Sequence, residues 1–166
     1  MHSLLLFGLL LWYHRANKAK GDKNSAFFAP LRLKHIYLAR MKHIIQTEHA
    51  PLPIGPYSQA VKAGGMLYTS GQIAINPATQ EYTPLDVEAE TELVMQNMQA
   101  VLKAADVDFS AVVKTSIFLA DMSDFPKVNA VYAKYFTGEF PARETVQVAC
   151  LPKSCKVEIS MIAVCA

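Results

Sequence analysis

Cysteine is scarce in this 166-residue chain: Cys150, Cys155 and Cys165 form no even set and carry no CxxC spacing. A disulfide framework or thiolate metal site is therefore not expected, and reduced, buried thiols on strands of a cytosolic protein are. Histidine adds no metal chemistry. His2, His14, His35, His43 and His49 all lie early in the chain, without a carboxylate grouping that resembles a ligand set. No glycine-rich phosphate loop occurs, which removes the common nucleotide-cradling motifs. Long apolar runs are missing too. The stretch from Ser3 to Tyr13 covers eleven residues, too short to span a bilayer, and no basic segment precedes it as in a secretory signal.

What is present divides unevenly. The formal net charge of +2 combines net +6 over residues 1–40, where Asp22 is the single acid, with net −4 over residues 41–166. Residues 1–40 are expected to be an extension to the folded unit. Met41 reads as the start of the domain proper, with the preceding forty residues coming from upstream translation or forming a disordered tail. Organellar targeting ranks second and a membrane anchor third, because so apolar an opening suits a basic presequence poorly. Residues 41–166 suit one domain with a sizeable core.

Within that domain the periodicities predict α+β structure. Tyr57–Ala63 and Met66–Ile73 flank Gly64-Gly65, a two-residue loop that signals a hairpin. Val87–Ala105 carries Leu93, Val94, Met98, Val101, Leu102 and Ala105 at helical spacing, with Glu88, Glu90 and Glu92 near its start, where the helix dipole favours acids. Val112–Leu119 reads as a strand. Ser123 is expected to cap a second helix whose Phe125, Val128, Val131, Tyr132, Tyr135 and Phe136 form an apolar stripe, more a core feature than a ligand box.

The C-terminal segment brings in chemistry. Leu151-Pro152-Lys153-Ser154 separates two β-favouring runs, and proline suits the first central position of a tight turn, so an antiparallel hairpin is predicted. In that register Gln147 faces Glu158, Thr145 faces Ser160 and Arg143 faces Ile162. Cys150 meets Cys155 across the turn. Paired residues share a face, so Arg143, Thr145, Gln147, Glu158 and Ser160 are expected on one side, and Val146, Val148, Val157, Ile159 and Met161 on the core side. The Arg143 and Glu158 rows are roughly 13 Å apart at about 3.3 Å per residue, close enough for two long side chains to close on a small ligand. Such charges on an exposed sheet are commonly solvated. Ile162 and Val164, however, turn the same face apolar and call for a cover, in so small a domain another subunit.

These segments, Pro141-Ala142-Arg143, Leu151-Pro152-Lys153 and Val157-Glu158-Ile159, resemble the signature of the RidA family (reactive intermediate deaminase A, also called YjgF). So do Ile54-Gly55-Pro56-Tyr57-Ser58-Gln59, Tyr68-Thr69-Ser70-Gly71-Gln72-Ile73, Asp124-Phe125 and Val128-Asn129 followed by Tyr132. The likeness runs in order from Met41 to Val164, with Lys42-His43-Ile44-Ile45 resembling the usual first strand. It implies a chorismate-mutase-like sheet with both helices on one face, assembled as a homotrimer with clefts between subunits. The implied activity is cofactor-free hydrolysis of reactive enamines and imines, such as 2-aminoacrylate and 2-iminobutanoate, to 2-oxo acids and ammonia.

The resemblance assigns Arg143 to the substrate carboxylate and Glu158 to the attacking water. Tyr57 would pack over the substrate. Ser70, Gly71 and the backbone at Thr145 would supply hydrogen bonds, with Asn129 as a neighbouring support. These roles fit the chemistry, since a guanidinium is a permanently charged fork and a partly dry carboxylate has its pKa raised. Three features depart from the family pattern: Thr145 stands where cysteine is frequent, Ala149-Cys150-Leu151 where Ala-Arg-Leu often stands, and Thr137-Gly138-Glu139 is short. They put substrate size preference in doubt. Two other functions stay open. A ribonuclease or translation inhibitor would need a basic face, which the net −4 of the domain does not offer and only residues 1–40 could. A non-catalytic trimer binding small molecules would use the same cleft without turnover. Chorismate mutation fits less well, because a dicarboxylate would want more cations than Arg143. Neither nucleic acid nor membrane is expected as a partner.

Overall fold

Strict alternation marks the central strands. Along Val157–Val164 the side chains of Val157, Ile159, Met161 and Ala163 are buried, while Glu158, Ser160 and Ile162 are half-buried on the opposite side. That is the period-two pattern of a strand between two different environments. The structure, a computed structural model, describes residues 42–165; the expectations for residues 1–40 lie outside them. Its strands and helices follow as β1 (His43–Ile45), β2 (Ala60–Ala63), β3 (Met66–Thr69), β4 (Ile75–Asn76), β5 (Glu81–Tyr82), α1 (Val87–Ala104), β6 (Val112–Leu119), α2 (Phe125–Ala133), β7 (Ala142–Gln147) and β8 (Val157–Val164). Among the described residues no helix is long and apolar enough to cross a membrane.

Local chemistry sets the element ends. Gly64 and Gly65, at φ 62° and 77°, supply the two left-handed positions of the β2–β3 turn, so Ala63 pairs with Met66 as expected. Asp86 caps α1 by accepting from Ala89 N at 2.8 Å, and the helix closes before Asp106, which has φ 59°. Ser123 does not cap α2. It lies in a short 3-10 turn, Met122–Asp124, capped by Asp121, and Asp124 precedes the helix without a side-chain bond. The stripe on α2 does bury Val128, Val131, Tyr132 and, just beyond the helix, Phe136. Both helices contribute to one core with Leu67, Ile117, Leu119, Val157, Ile159 and Met161 from a single face of the sheet.

The main sheet runs β1-β2-β3-β8-β6-β7, antiparallel throughout except for the parallel pair β6 and β7. The predicted β7–β8 hairpin is therefore overturned, because β6 lies between the two strands. Residues 148–156 pass over the end of β6 and are fastened on each side of it, Val148 N to Leu119 O at 3.0 Å and Ala120 N to Lys156 O at 3.0 Å. Pro152–Ser154 is a 3-10 turn with positive φ at Lys153 and Ser154, not a two-residue hairpin loop. All three cysteines fall just outside strands, and Cys150 is exposed whereas Cys155 and Cys165 are buried.

Inserting one strand inverts the faces of β7. Arg143 shares a row with Thr115 and Met161, and Thr145 with Ile117 and Ile159, both on the helix side. Glu158 shares its row with Phe118 and Val146 on the outer side. The expected faces hold for β8 and fail for β7, since a shift of one residue moves every side chain of a strand across the sheet. The outer face is largely apolar toward β1: Ile44, Val61, Tyr68 and Ile162 form one continuous row. Ile44 and Tyr68 remain 51% and 46% exposed.

Candidate active site

Two separate clefts hold the candidate residues. The first, about 360 Å³, is walled by Pro51, Leu52, Ile54, Ile73, Ile75 and Pro152 around Tyr57, Ser70, Gly71 and Glu158. The pleat of β8 turns Glu158 outward, and the chain leaving β3 crosses beside it. Gln72 and Ile159 exchange backbone bonds at 2.8 and 3.1 Å, which lays Gly71 against the carboxylate. A Cβ at Gly71 would meet Glu158 Oε1 at 1.9 Å, so only glycine admits this approach. Among the described residues Glu158 has no hydrogen-bond or ion-pair partner. Burial without a compensating donor holds its carboxyl above the ordinary carboxylate value.

The strap that carries Tyr57 is held from below by Gln59, which is buried. Its amide donates to Ala50 O and Pro51 O and accepts from Thr47 N. Ser70 donates its hydroxyl to Ser58 O at 2.6 Å and its N–H to Gln59 O at 2.9 Å. That hydroxyl proton is committed to the strap, so toward a ligand Ser70 can offer its oxygen as an acceptor. Tyr57 is half-exposed over the cleft mouth.

The second cleft, about 340 Å³, lies on the helix side and is lined by Asn129, Tyr132, Ala133, Phe140, Pro141 and Arg143. Phe125, Asn129 and Tyr132 recur at helical spacing on one face of α2. Arg143 donates to Asn129 Oδ1 at 2.8 Å, and its guanidinium carbon lies 5.0 Å from the Tyr132 ring centre and 5.6 Å from that of Phe125. The aromatics are thus core and cradle together, and cation–π attraction to both rings helps hold the guanidinium in place. No carboxylate of the described residues pairs with Arg143. A guanidinium so held presents its remaining N–H groups to an anion. Thr145 shares the helix side with Arg143 but does not line its cleft, and its buried hydroxyl has no hydrogen-bond partner.

The sequence-predicted residues therefore fall into two sets. Tyr57, Ser70, Gly71 and Glu158 come together, as do Asn129 and Arg143, and the two sets occupy opposite faces of one sheet. Sequence reasoning missed the apolar walls, Phe140 and the Gln59 anchor. A glutamine directly before the Ala60–Ala63 strand was the available signal for the last.

Comparison with known proteins agrees with the sequence pattern. A family model described as Endoribonuclease L-PSP matches residues 47–165. The chain is 56% identical over 122 residues to Protein DfrA of Myxococcus xanthus, covering 72% of this chain and 93% of that one. It is 46% identical over 124 residues to the 2-iminobutanoate/2-iminopropanoate deaminase of Mus musculus, covering 75% and 92%. TdcF of E. coli, solved with bound serine, is similar in structure, with TM-score 0.71 and 42% identity over 75% of this chain and 99% of that one. Since these likenesses span nearly all of the described residues and include both clefts, the chain belongs to the RidA (YjgF) family.

Proposed function

We propose that the chain is a hydrolytic deaminase of 2-imino acids, active as a homotrimer in which the Glu158 cleft of one copy meets the Arg143 cleft of the next. The observation that carries this reading is a pair of unmatched charges: a half-buried carboxylate without a cation in one cleft and a cradled guanidinium without a carboxylate in the other. They lie on opposite faces of the sheet, so one chain cannot bring them together. The apolar row from Ile44 to Ile162 supports a second copy covering the outer face, where Glu158 lies. The similarity to the mouse 2-iminobutanoate/2-iminopropanoate deaminase and to TdcF, solved with bound serine, supports a small amino-acid-like substrate.

The residues then divide the work. Arg143 grips the substrate carboxylate and leaves the imine carbon facing Glu158. The Glu158 carboxylate takes a proton from a water as its oxygen adds to that carbon, giving a carbinolamine. With that proton returned to nitrogen, Glu158 takes the proton of the new hydroxyl and passes it to nitrogen as the carbonyl forms and the C–N bond breaks, and the 2-oxo acid and ammonia leave. The apolar walls limit bulk water around the carboxylate, which keeps its pKa high enough to return the proton. Tyr57 closes the mouth, and 2-iminobutanoate and 2-iminopropanoate, whose enamine form is 2-aminoacrylate, are the expected substrates.

The description of the family model gives a ribonuclease reading one observation in its favour. The net −4 of residues 41–166 opposes binding of a polyanion. The test is to generate 2-iminobutanoate with a threonine dehydratase and follow 2-oxobutanoate, with an RNA-cleavage assay alongside. Wild type should accelerate release, and Arg143→Ala and Glu158→Gln should not. Equal rates for all three, or RNA cleavage that survives both substitutions while imine turnover is absent, would refute the proposal.

A further inference from the structure

The core face of α1 is apolar at Val87, Val94, Met98, Val101 and Leu102, yet it also buries Glu90 and Asn97, which are 0% and 1% exposed. They are seven residues apart, about 10 Å along one side of the helix at 1.5 Å per residue. A dipole preference explains an exposed acid such as Glu88, not a carboxylate sealed in the core. Burying such groups is costly unless each is fully hydrogen-bonded.

Each one serves a stretch of main chain beside Glu158 that lies outside the main sheet. Glu90 Oε2 accepts from Lys156 N at 2.8 Å, and its Oε1 accepts from Tyr82 OH at 2.8 Å and Lys156 Nζ at 3.3 Å. Lys156 lies two residues before Glu158, and its carbonyl already accepts from Ala120 N, so its main chain is held at both ends. On the other side Asn97 Nδ2 donates to Ile75 O at 2.9 Å and to Ile73 O at 3.3 Å. Ile73 and Ile75 wall the cleft directly after Gly71 and Gln72. One rigid helix thus holds the strand entry on one side of the carboxylate and the glycine approach on the other.

We infer that Glu90 and Asn97 are positioning residues for the Glu158 carboxylate, setting its place relative to Gly71 through the main chain at Lys156 and at Ile73–Ile75. This rests on the deaminase reading. Neither side chain lines the cleft. Their effect should fall on turnover and leave substrate capture, which belongs to Arg143, nearly untouched, because displacement of a reacting group by about 1 Å costs on the order of a hundredfold in rate.

The experiment measures imine hydrolysis by wild type, Glu90→Leu, Glu90→Gln, Asn97→Leu and Glu158→Gln, each as the folded fraction isolated by gel filtration. Glu90→Leu and Asn97→Leu should lose about tenfold or more in kcat, with KM within about twofold of wild type. Glu90→Gln keeps an oxygen for Lys156 N–H and should return kcat to within about threefold. A kcat within twofold of wild type in either folded leucine variant, equal losses in Glu90→Gln and Glu90→Leu, or failure of both leucine variants to fold would overturn the positioning role. Wild type no faster than Glu158→Gln would overturn the deaminase reading, and this inference with it.

Discussion

If each site takes its guanidinium from one copy and its carboxylate from another, two inactive variants should repair each other. Arg143→Ala keeps an intact Glu158 cleft, and Glu158→Gln keeps an intact Arg143 cleft, because the two lie on opposite sides of β6 and share no lining residue. In a cyclic trimer a site is whole when the copy giving Arg143 is the glutamine variant and the next copy is the alanine variant. With equal amounts assorting at random each condition is met half the time, so about a quarter of sites are whole. The assay is 2-oxobutanoate release after the two variants are unfolded together in urea, refolded and compared with wild type treated identically. About a quarter of wild-type activity is expected from the mixture, and essentially none from either variant alone or from the two mixed without exchange. A mixture no more active than its parents, with exchange demonstrated by a size-tagged copy, would refute the division of the site between subunits.

Three further outcomes follow from the geometry of Glu158. Gly71→Ala places a methyl group 1.9 Å from Oε1, so the carboxylate must retreat by more than about 1 Å; kcat should fall about a hundredfold while thermal unfolding stays near wild type, and unchanged kcat would sink the claim that the glycine is required. Burial raises the Glu158 pKa above 4.5, so the acid limb of the kcat/KM profile should lie above pH 4.5, activity falling as the pH drops through it. The stability effect has the opposite sign: an acid whose pKa is raised on folding contributes most below its unfolded value, and loses that contribution as pH rises through its folded value. Glu158→Gln should therefore gain in Tm relative to wild type from acid to neutral pH, and a gap that does not change with pH would contradict it.

What could be read from the residues was governed by distance along the chain. The Gly64-Gly65 turn, the bounds of α1 and the faces of β8 depend on neighbours a few positions away, and all three hold. The face of β7 depends on which strand lies beside it. Nothing between Gln147 and Val157 says that β6, nearly thirty residues earlier in the chain, would take the place a hairpin reserves for the adjacent strand. Arg143 and Glu158 stand out as residues in the sequence, but Arg143 lies on the face opposite to the one its spacing predicts. Glu90 shows the same limit, for as a letter near a helix start it reads as a dipole partner, and only the approach of Lys156, sixty-six residues on, shows why it is buried.

The last of the described strands, β8, is not at an edge but between β3 and β6. Until it is in place, the β1–β3 ribbon and the β6–β7 pair have no ladder joining them, each with an open edge that the 8 residues of β8 fill. Closure of the sheet thus depends on contacts distant in sequence, which are slow to form. Truncation before Val157 would remove the strand that unites the domain, and with it the Glu158 carboxylate to which the proposed hydrolysis is assigned.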